Sequence, residues 1–327
     1  MTIRNFNYLF RPRSVAVIGA SARLGTLGNI VFKNIAKGGF QGPLHGVNPK
    51  GGNIDGVTLH TNIAHLPDPP DLAVIVTPPQ AVANVIGELG IRGCKAGVVL
   101  TAGFGEGGDA NGARRREELL AAAQPNLFRI IGPNCLGIMV PGIGLNASFA
   151  RTPAAAGRLA LVAQSGAIAS ALLDWAQPRG IGFSHVVTLG DMCDVDFGDM
   201  LDYLCGDKDT HAILLYVEGI THPRKFMSAA RRAARVKPVL VVKGGRQSES
   251  AKVATSHTGA LSGSDAVYDA VFARAGILRV NDLDDLFSGA ELLALCPRLR
   301  ETVLQSLRMA GAWACWQRIA CLESMAI

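Results

Sequence analysis

The chain is predicted to be an α/β protein with mainly parallel sheets covered by helices on both faces. Short apolar runs recur along it, segments with helical spacing separate them, and glycine-rich turns close the runs. Runs that are apolar at every position, rather than at alternate ones, are the mark of strands buried on both sides.

The first unit opens with a strand over 15–18, a turn from Gly19, and a helix over 27–37. A second strand is expected over 44–47 and a third over 72–76, which Thr77-Pro78-Pro79 breaks before a helix over 80–89. The pattern returns as strand 96–100, helix 112–123 and strand 127–131, closed by Gly132-Pro133-Asn134-Cys135-Leu136-Gly137. The Pro- and Gly-rich stretch 141–157 reads as the crossing to a second unit. There, strands are expected over 159–162, 185–189, 212–217 and 239–242. Helices are expected from Gly166 to about Trp175 and over 197–204, 224–235, 264–275 and 284–295. From about Glu301 no clean period survives, and Trp313 and Trp316 fall in an atypical tail.

A length of 327 residues holds two ordinary cores, and 49% hydrophobic against 18% charged residues argues against disorder. The formal charge of +6 suits anionic ligands. Arg114-Arg115-Arg116 and Arg231-Arg232 with Arg235 read as solvated helix faces, and no zinc-finger spacing or aromatic–basic interleaving supports nucleic-acid binding. The seven cysteines form no CxxC pair. Their odd number without a signal peptide predicts reduced thiols and a cytoplasmic protein. No membrane span is expected.

Chemistry is expected where loops follow strands. Gly19-Ala20-Ser21-x-Arg23-x-Gly25-x-x-Gly28 joins a strand to a helix, where glycines allow close backbone approach and helix N–H groups face an anion. Ser21 and Arg23 add a hydroxyl and a cation; a purely structural tight turn fits the same letters. Pro78 supplies a rigid wall, Phe104 a surface for an adenine or a pantetheine chain, and Asn134 an amide to orient a carbonyl or phosphate; plain turn chemistry fits the Pro78 and Phe104 segments as well. Cys135 reads as a buried small residue.

In the second unit, Ala254-Thr255-Ser256-His257-Thr258-Gly259-Ala260 sets one histidine among small hydroxyl and glycine residues. Its imidazole is suited to accept and release a phosphoryl group, although an inert loop histidine fits the local sequence too. Ser165-Gly166-Ala167 opens a helix whose N–H groups suit that phosphoryl group; Ser165 also fits a plain helix cap. Glu218 closes a strand, where a carboxylate accepts an imidazole N–H or stands on the surface unrelated to His257. Asp194 or Asp196 reads as a helix cap or a solvated residue, and no metal site is expected.

These motifs, in this order over residues 10–298, resemble the alpha subunit of succinyl-CoA synthetase. More closely, they resemble the matching part of nucleoside-diphosphate-forming acetyl-CoA synthetases. The resemblance implies a Rossmann-like CoA-binding domain (1–140), a flavodoxin-like CoA-ligase domain (141–300) and an atypical tail (301–327). It makes His257 the phosphorylated histidine, Glu218 its acidic support, and Ser165 and Gly166 the start of the phosphate-receiving helix. Ser21, Pro78 and Asn134 fall in segments similar to the CoA-binding surface.

The family reaction joins a carboxylic acid and coenzyme A at the expense of a nucleoside triphosphate, through an acyl phosphate. ATP/ADP and magnesium belong to an ATP-grasp domain, which is not recognisable in this chain. An ATP-grasp beta subunit or equivalent domain is therefore the expected partner, and the chain reads as a truncated or frame-disrupted member. The N-terminal L-F-R-P-R-S-V-A-V-I-G-A-S also resembles proteins that fuse this region to an acetyltransferase. Two other readings stay open: a non-catalytic CoA-binding or regulatory remnant, and a nicotinamide dehydrogenase, which leaves His257 and Glu218 without a role.

Overall fold

The computed structural model describes residues 3–106, 110–245 and 264–295. After a short helix α1 (Phe6–Phe10), the first unit runs β1 (Val15–Ile18), α2 (Leu27–Lys37) and β2 (Leu44–Val47), then a small hairpin of β3 (Asn53–Ile54) and β4 (Val57–Thr58). It continues through β5 (Leu72–Ile75), α3 (Pro79–Ile91), β6 (Ala96–Val99), α4 (Ala110–Ala123) and β7 (Arg129–Ile131). The five long strands form a parallel sheet in the order β2-β1-β5-β6-β7. Every residue of β1, β5 and β6 is buried, as required of strands with helices on both faces.

The second sheet begins earlier than the Pro- and Gly-rich stretch suggested. Strands β8 (Gly137–Val140) and β9 (Leu145–Ser148) form an antiparallel hairpin on its edge, with Ile138 opposite Val187 and Met139 opposite Val186. The remaining strands are parallel: β10 (Ala156–Ala163), β11 (Phe183–Thr188), β12 (Ala212–Val217), β13 (Val239–Lys243) and β14 (Leu278–Val280). Their order is β14-β13-β12-β10-β11-β8-β9. Helices α5 (Gly166–Ala176), α6 (Phe197–Gly206) and α7 (Pro223–Val236) connect them, with Asp265–Ala275 and Leu283–Leu295 flanking β14. Asp196 caps α6 in a reciprocal capping box with Asp199. Asp194 instead holds Arg129 at 2.8 Å.

One continuous hydrophobic core runs through both units. α1 contributes Phe6, Leu9 and Phe10, all essentially fully buried, each adding about 1.5–3 kcal/mol of burial. Phe10 packs edge-on against His185 at 5.4 Å and stacks on Tyr203 at 4.8 Å, tying the start of the chain to β11 and α6.

The units also meet along a backbone seam. Asp191, Cys193 and Val195 donate their N–H groups to Pro133, Gly132 and Ile130 at 3.0, 3.1 and 3.1 Å. Among the described residues no helix is long and apolar enough to cross a membrane.

Candidate functional site

In open parallel sheets, ligands settle at the carboxyl ends of strands where the order of connection reverses. In the first sheet that point lies between β1 and β5, because α2 leads outward to β2 while α3 leads the other way to β6. The loop 19–26 and the turn 76–78 flank it, so Gly19 to Gly28 and Pro78 meet at one crevice.

Gly19 has φ +96°, and a Cβ there would stand 2.9 Å from the Val76 carbonyl oxygen. A side chain at Gly28 would collide with the Gly19 carbonyl. These two glycines bring the N-terminus of α2 hard against the end of β1. Ser21 Oγ accepts the Arg23 N–H at 3.2 Å, and Asn29 Nδ2 donates to the Ser21 carbonyl at 2.8 Å, which hold the loop in shape. Arg23 and Gly25 are exposed, and the first turn of α2 holds no acidic side chain. The loop is thus open to an anion. Pro78 stands at the N-cap of α3, with Pro79 at its first position.

Phe104 does not face this crevice. It is 3% exposed and belongs to the core with Val82, Leu119 and Phe128. Cys135 is buried too; desolvation pushes its thiol up to about 12, which removes it as a nucleophile near neutral pH.

The second sheet has its own reversal between β10 and β12, its neighbouring central strands. Ser165 and Gly166 follow β10, and Glu218 follows β12, so topology alone brings them to one edge. Ser165 caps α5, its Oγ accepting the Ile168 N–H at 3.5 Å. Gln164 joins the two loops: its Oε1 accepts the N–H groups of Glu218 at 2.6 Å and Gly219 at 2.8 Å. Glu218 also raises the Tyr216 phenol, second to the effect of burial. Burial lowers the Lys243 ammonium, while Asp265 and Glu218 act in the opposite sense. His257 lies outside the described residues, as does the tail over 301–327.

The second edge touches the loop that leaves the first sheet. A Cβ at Gly166 would stand 3.1 Å from Cβ of Leu136, in the loop that also carries Asn134. Asn134, at φ +57°, donates from Nδ2 to Asp191 Oδ1 at 3.2 Å. The Ser165–Gly166 helix start therefore borders the loop that leaves the first sheet and carries Asn134.

The profile of the CoA-binding domain matches residues 13–141, and that of the succinyl-CoA ligase-like flavodoxin domain matches residues 156–293. The chain belongs to this CoA-binding, succinyl-CoA ligase-like family. It is 40% identical over 293 residues to the alpha subunit of ADP-forming acetate–CoA ligase I of Pyrococcus furiosus, covering 88% of this chain and 63% of that one. It is 41% identical over 285 residues to the ADP-forming acetate–CoA ligase I of Archaeoglobus fulgidus, covering 87% and 41%. Among solved structures, acetyl-coenzyme A synthetase 1 of Candidatus Korarchaeum cryptofilum, in complex with phosphate and ADP, superposes with a TM-score of 0.83. That match is at 34% identity and covers 88% of this chain and 62% of that chain. The chain thus spans less than two thirds of the length of these relatives.

In this ligase-like chain, sequence reasoning placed Ser165, Gly166 and Glu218 at one edge and Gly19, Ser21, Gly28 and Pro78 at the other. It passed over Gln164, whose task depends on which strand lies beside β10. It also passed over Glu106, whose Oε2 accepts the N–H groups of Gly103 and Phe104 at 2.8 and 2.7 Å. Among the described residues no group of His, Cys, Asp and Glu side chains is arranged to hold a metal ion.

Proposed function

We propose that the chain is the CoA-binding, phosphoryl-carrying component of an ADP-forming acyl-CoA ligase, working in the cytoplasm with an ATP-grasp beta subunit or equivalent domain. The carrying observation is the Gln164 clamp, which fixes the Glu218 loop beside the Ser165–Gly166 helix start at the switch point of the second sheet.

In this reading a His257 ring nitrogen takes the terminal phosphoryl group of the partner-bound ATP as its P–O bond to ADP breaks, and Glu218 accepts the opposite ring N–H and balances the charge that develops on the imidazole. The α5 N-terminus stabilises the phosphate anion. A carboxylate oxygen of the substrate acid then takes the phosphoryl group as the N–P bond breaks. The thiol of CoA, giving up its proton, displaces phosphate from the acyl carbon to form the thioester. Gly19, Ser21, Arg23, Gly25, Gly28, Pro78 and Asn134 bind CoA, the loop amides and Arg23 serving its phosphates. Acetate is the preferred acid because the relatives named above are acetate or acetyl-CoA enzymes. Magnesium and the nucleotide are assigned to the partner.

Incubation with acetyl-CoA and labelled phosphate, with and without an ATP-grasp partner, tests the assignment. Acid-labile label that disappears in His257→Ala is the expected result. No label under either condition, with CoA binding retained in calorimetry, would leave a CoA-binding protein without the transfer role.

A further inference from the structure

At the amino end of the second sheet, about 20 Å along β10 from Ser165, lies a cleft of 480 Å³. It is enclosed by Arg11 after α1, the turn between β8 and β9, the first residues of β10 and β11, and the loop that leads into β12. Its volume is that of a small-molecule site.

Arg11, Arg158 and Lys208 line the cleft against one carboxylate, Asp209. Arg11 Nη2 already holds that carboxylate at 3.0 Å and reaches Asp207, outside the lining, at 3.4 Å. Among the described residues, Arg158 and Lys208 meet no carboxylate within ion-pair distance, so the cleft keeps a positive balance. The backbone sets Arg158 at this place. Ala156 and Leu159 both stand opposite Phe183, so Gly157 and Arg158 bulge out of the ladder. A Cβ at Gly157 would come within 2.2 Å of the Gly182 carbonyl carbon, so the bulge requires glycine. Arg158 Nη1 lies 3.4 Å from His211 Nδ1. A guanidinium only donates, so Nδ1 is the acceptor and the ring proton of His211 sits on Nε2.

Buried polar groups form the rest of the lining. Ser184 Oγ lies 2.8 Å from Thr210 Oγ1, and Thr210 Oγ1 donates to Asp207 Oδ2 at 2.6 Å. With that hydroxyl proton engaged, His185 Nδ1 is the donor in its 3.5 Å contact with Thr210 Oγ1. Nε2 of the neutral His185 ring is therefore an acceptor. His185 belongs to the lining and is 2% exposed, and among the described residues nothing hydrogen-bonds to this Nε2. A buried acceptor left without a donor at a cleft calls for one from a ligand.

We propose that this cleft is a second ligand site, which takes a phosphate compound bearing a hydroxyl. Arg158, Lys208 and the His211 Nε2–H hold the anionic oxygens, and His185 Nε2 accepts the hydroxyl. Free hydrogen phosphate and a nucleoside monophosphate share this chemistry, the first with its hydroxyl on phosphorus and the second on ribose. The site lies at the opposite end of the sheet from Ser165 and Glu218. Its occupant does not compete with CoA and takes no part in phosphoryl transfer; it ties α1 to the start of β10 and to the loop before β12.

Calorimetric titration of the full chain with inorganic phosphate, AMP, sulfate and CoA, near neutral pH, tests the site in wild type, Arg158→Gln and Lys208→Glu. Both positions are exposed, so each variant keeps the fold. The tighter binder of phosphate and AMP identifies the source. Each variant should weaken that ligand at least about tenfold and leave the affinity for CoA within about twofold. Sulfate carries no hydroxyl at this pH and should bind wild type at least about tenfold more weakly than that ligand. Wild-type affinity retained in both variants overturns the proposal. So does sulfate bound as tightly, or no binding of phosphate or AMP up to about 10 mM. A chain that binds phosphate or AMP through the cleft but never CoA loses the CoA-binding reading and keeps this one.

Discussion

Gln164 Oε1 receives the backbone N–H groups of both Glu218 and Gly219, so one side chain at the end of β10 sets the loop at the end of β12. Gln164 is 6% exposed, which leaves those donors little recourse to water. Gln164→Leu should cost about 2–3 kcal/mol, read as a lowered urea midpoint, because two amides lose their acceptor. Gln164→Glu keeps the acceptor and adds a charge beside Glu218. It should hold the loop better than leucine yet lower labelling of His257. Equal urea midpoints for leucine and wild type would remove the clamp from the account.

Ser165 separates capping from phosphate binding. Its bond to Ile168 N–H is long at 3.5 Å, so Ser165→Ala should cost only about 0.5–1 kcal/mol. Ser165→Asp caps a helix as well as serine does and adds a favourable charge at its positive end. That variant should melt no lower than wild type while losing most phosphorylation, since its carboxylate stands where the phosphoryl dianion is assigned. Full labelling in a stable aspartate variant places the phosphate elsewhere.

The loop after β1 offers a contrast between two glycines. At Gly28 a Cβ meets the Gly19 carbonyl, and neither backbone can yield without moving α2 away from β1. At Gly25 the obstacle is only its φ of +76°, with nothing within 4 Å of a Cβ. Gly25→Ala should therefore cost about 1–2 kcal/mol and weaken CoA by less than about tenfold, through its own loop contact, because α2 stays in place. Gly28→Ala should cost more, about 3 kcal/mol, and weaken CoA at least about tenfold through the displaced helix. Denaturant unfolding and calorimetry on the pair check this order, and equal losses at both positions would contradict it.

The alternation of apolar runs with helical segments was legible because the central strands, β1, β5, β6, β11 and β13 among them, are buried along their length. The site loops were legible because turn residues stand at strand ends. What escaped depends on pairing between distant residues. β8 and β9 are as long as β1, but they flank the Pro- and Gly-containing turn that reads as a crossing, and their place is set by pairing of β8 with β11 and by Asn34 of α2, whose Nδ2 donates to the Ser148 carbonyl at 2.9 Å. The five-residue α1 has no period; Phe6, Leu9 and Phe10 acquire meaning only against Tyr203 and His185. Phe104 was expected at the ligand because an aromatic residue in a loop suits a base, but its neighbours Val82 and Leu119 claim it for the core.

His185 gives a pH dependence with a known sign. The imidazole is enclosed by Phe10 and Tyr203, with Nδ1 3.7 Å from Asp207 Oδ2 and 3.5 Å from Thr210 Oγ1. Burial lowers it to about 4; Asp207 and Asp209 act in the opposite sense, and Arg11 and Lys237 add to the lowering. The unfolded chain takes up this proton below about pH 6.5, whereas the fold resists it until about pH 4. Stability from this group is complete above the first value and drains as pH falls towards the second, in total on the order of 3 kcal/mol. Asp207 is lowered from the ordinary carboxylate value, so its own loss begins below that window. His45, also lowered by burial, contributes in the same direction and is common to wild type and variant. His185→Gln stays neutral throughout and should flatten the decline in unfolding free energy between about pH 6.5 and about pH 4.5. Identical slopes for the two proteins would show that the imidazole takes up its proton at the same pH in the fold as in the unfolded chain, which contradicts the lowering by burial.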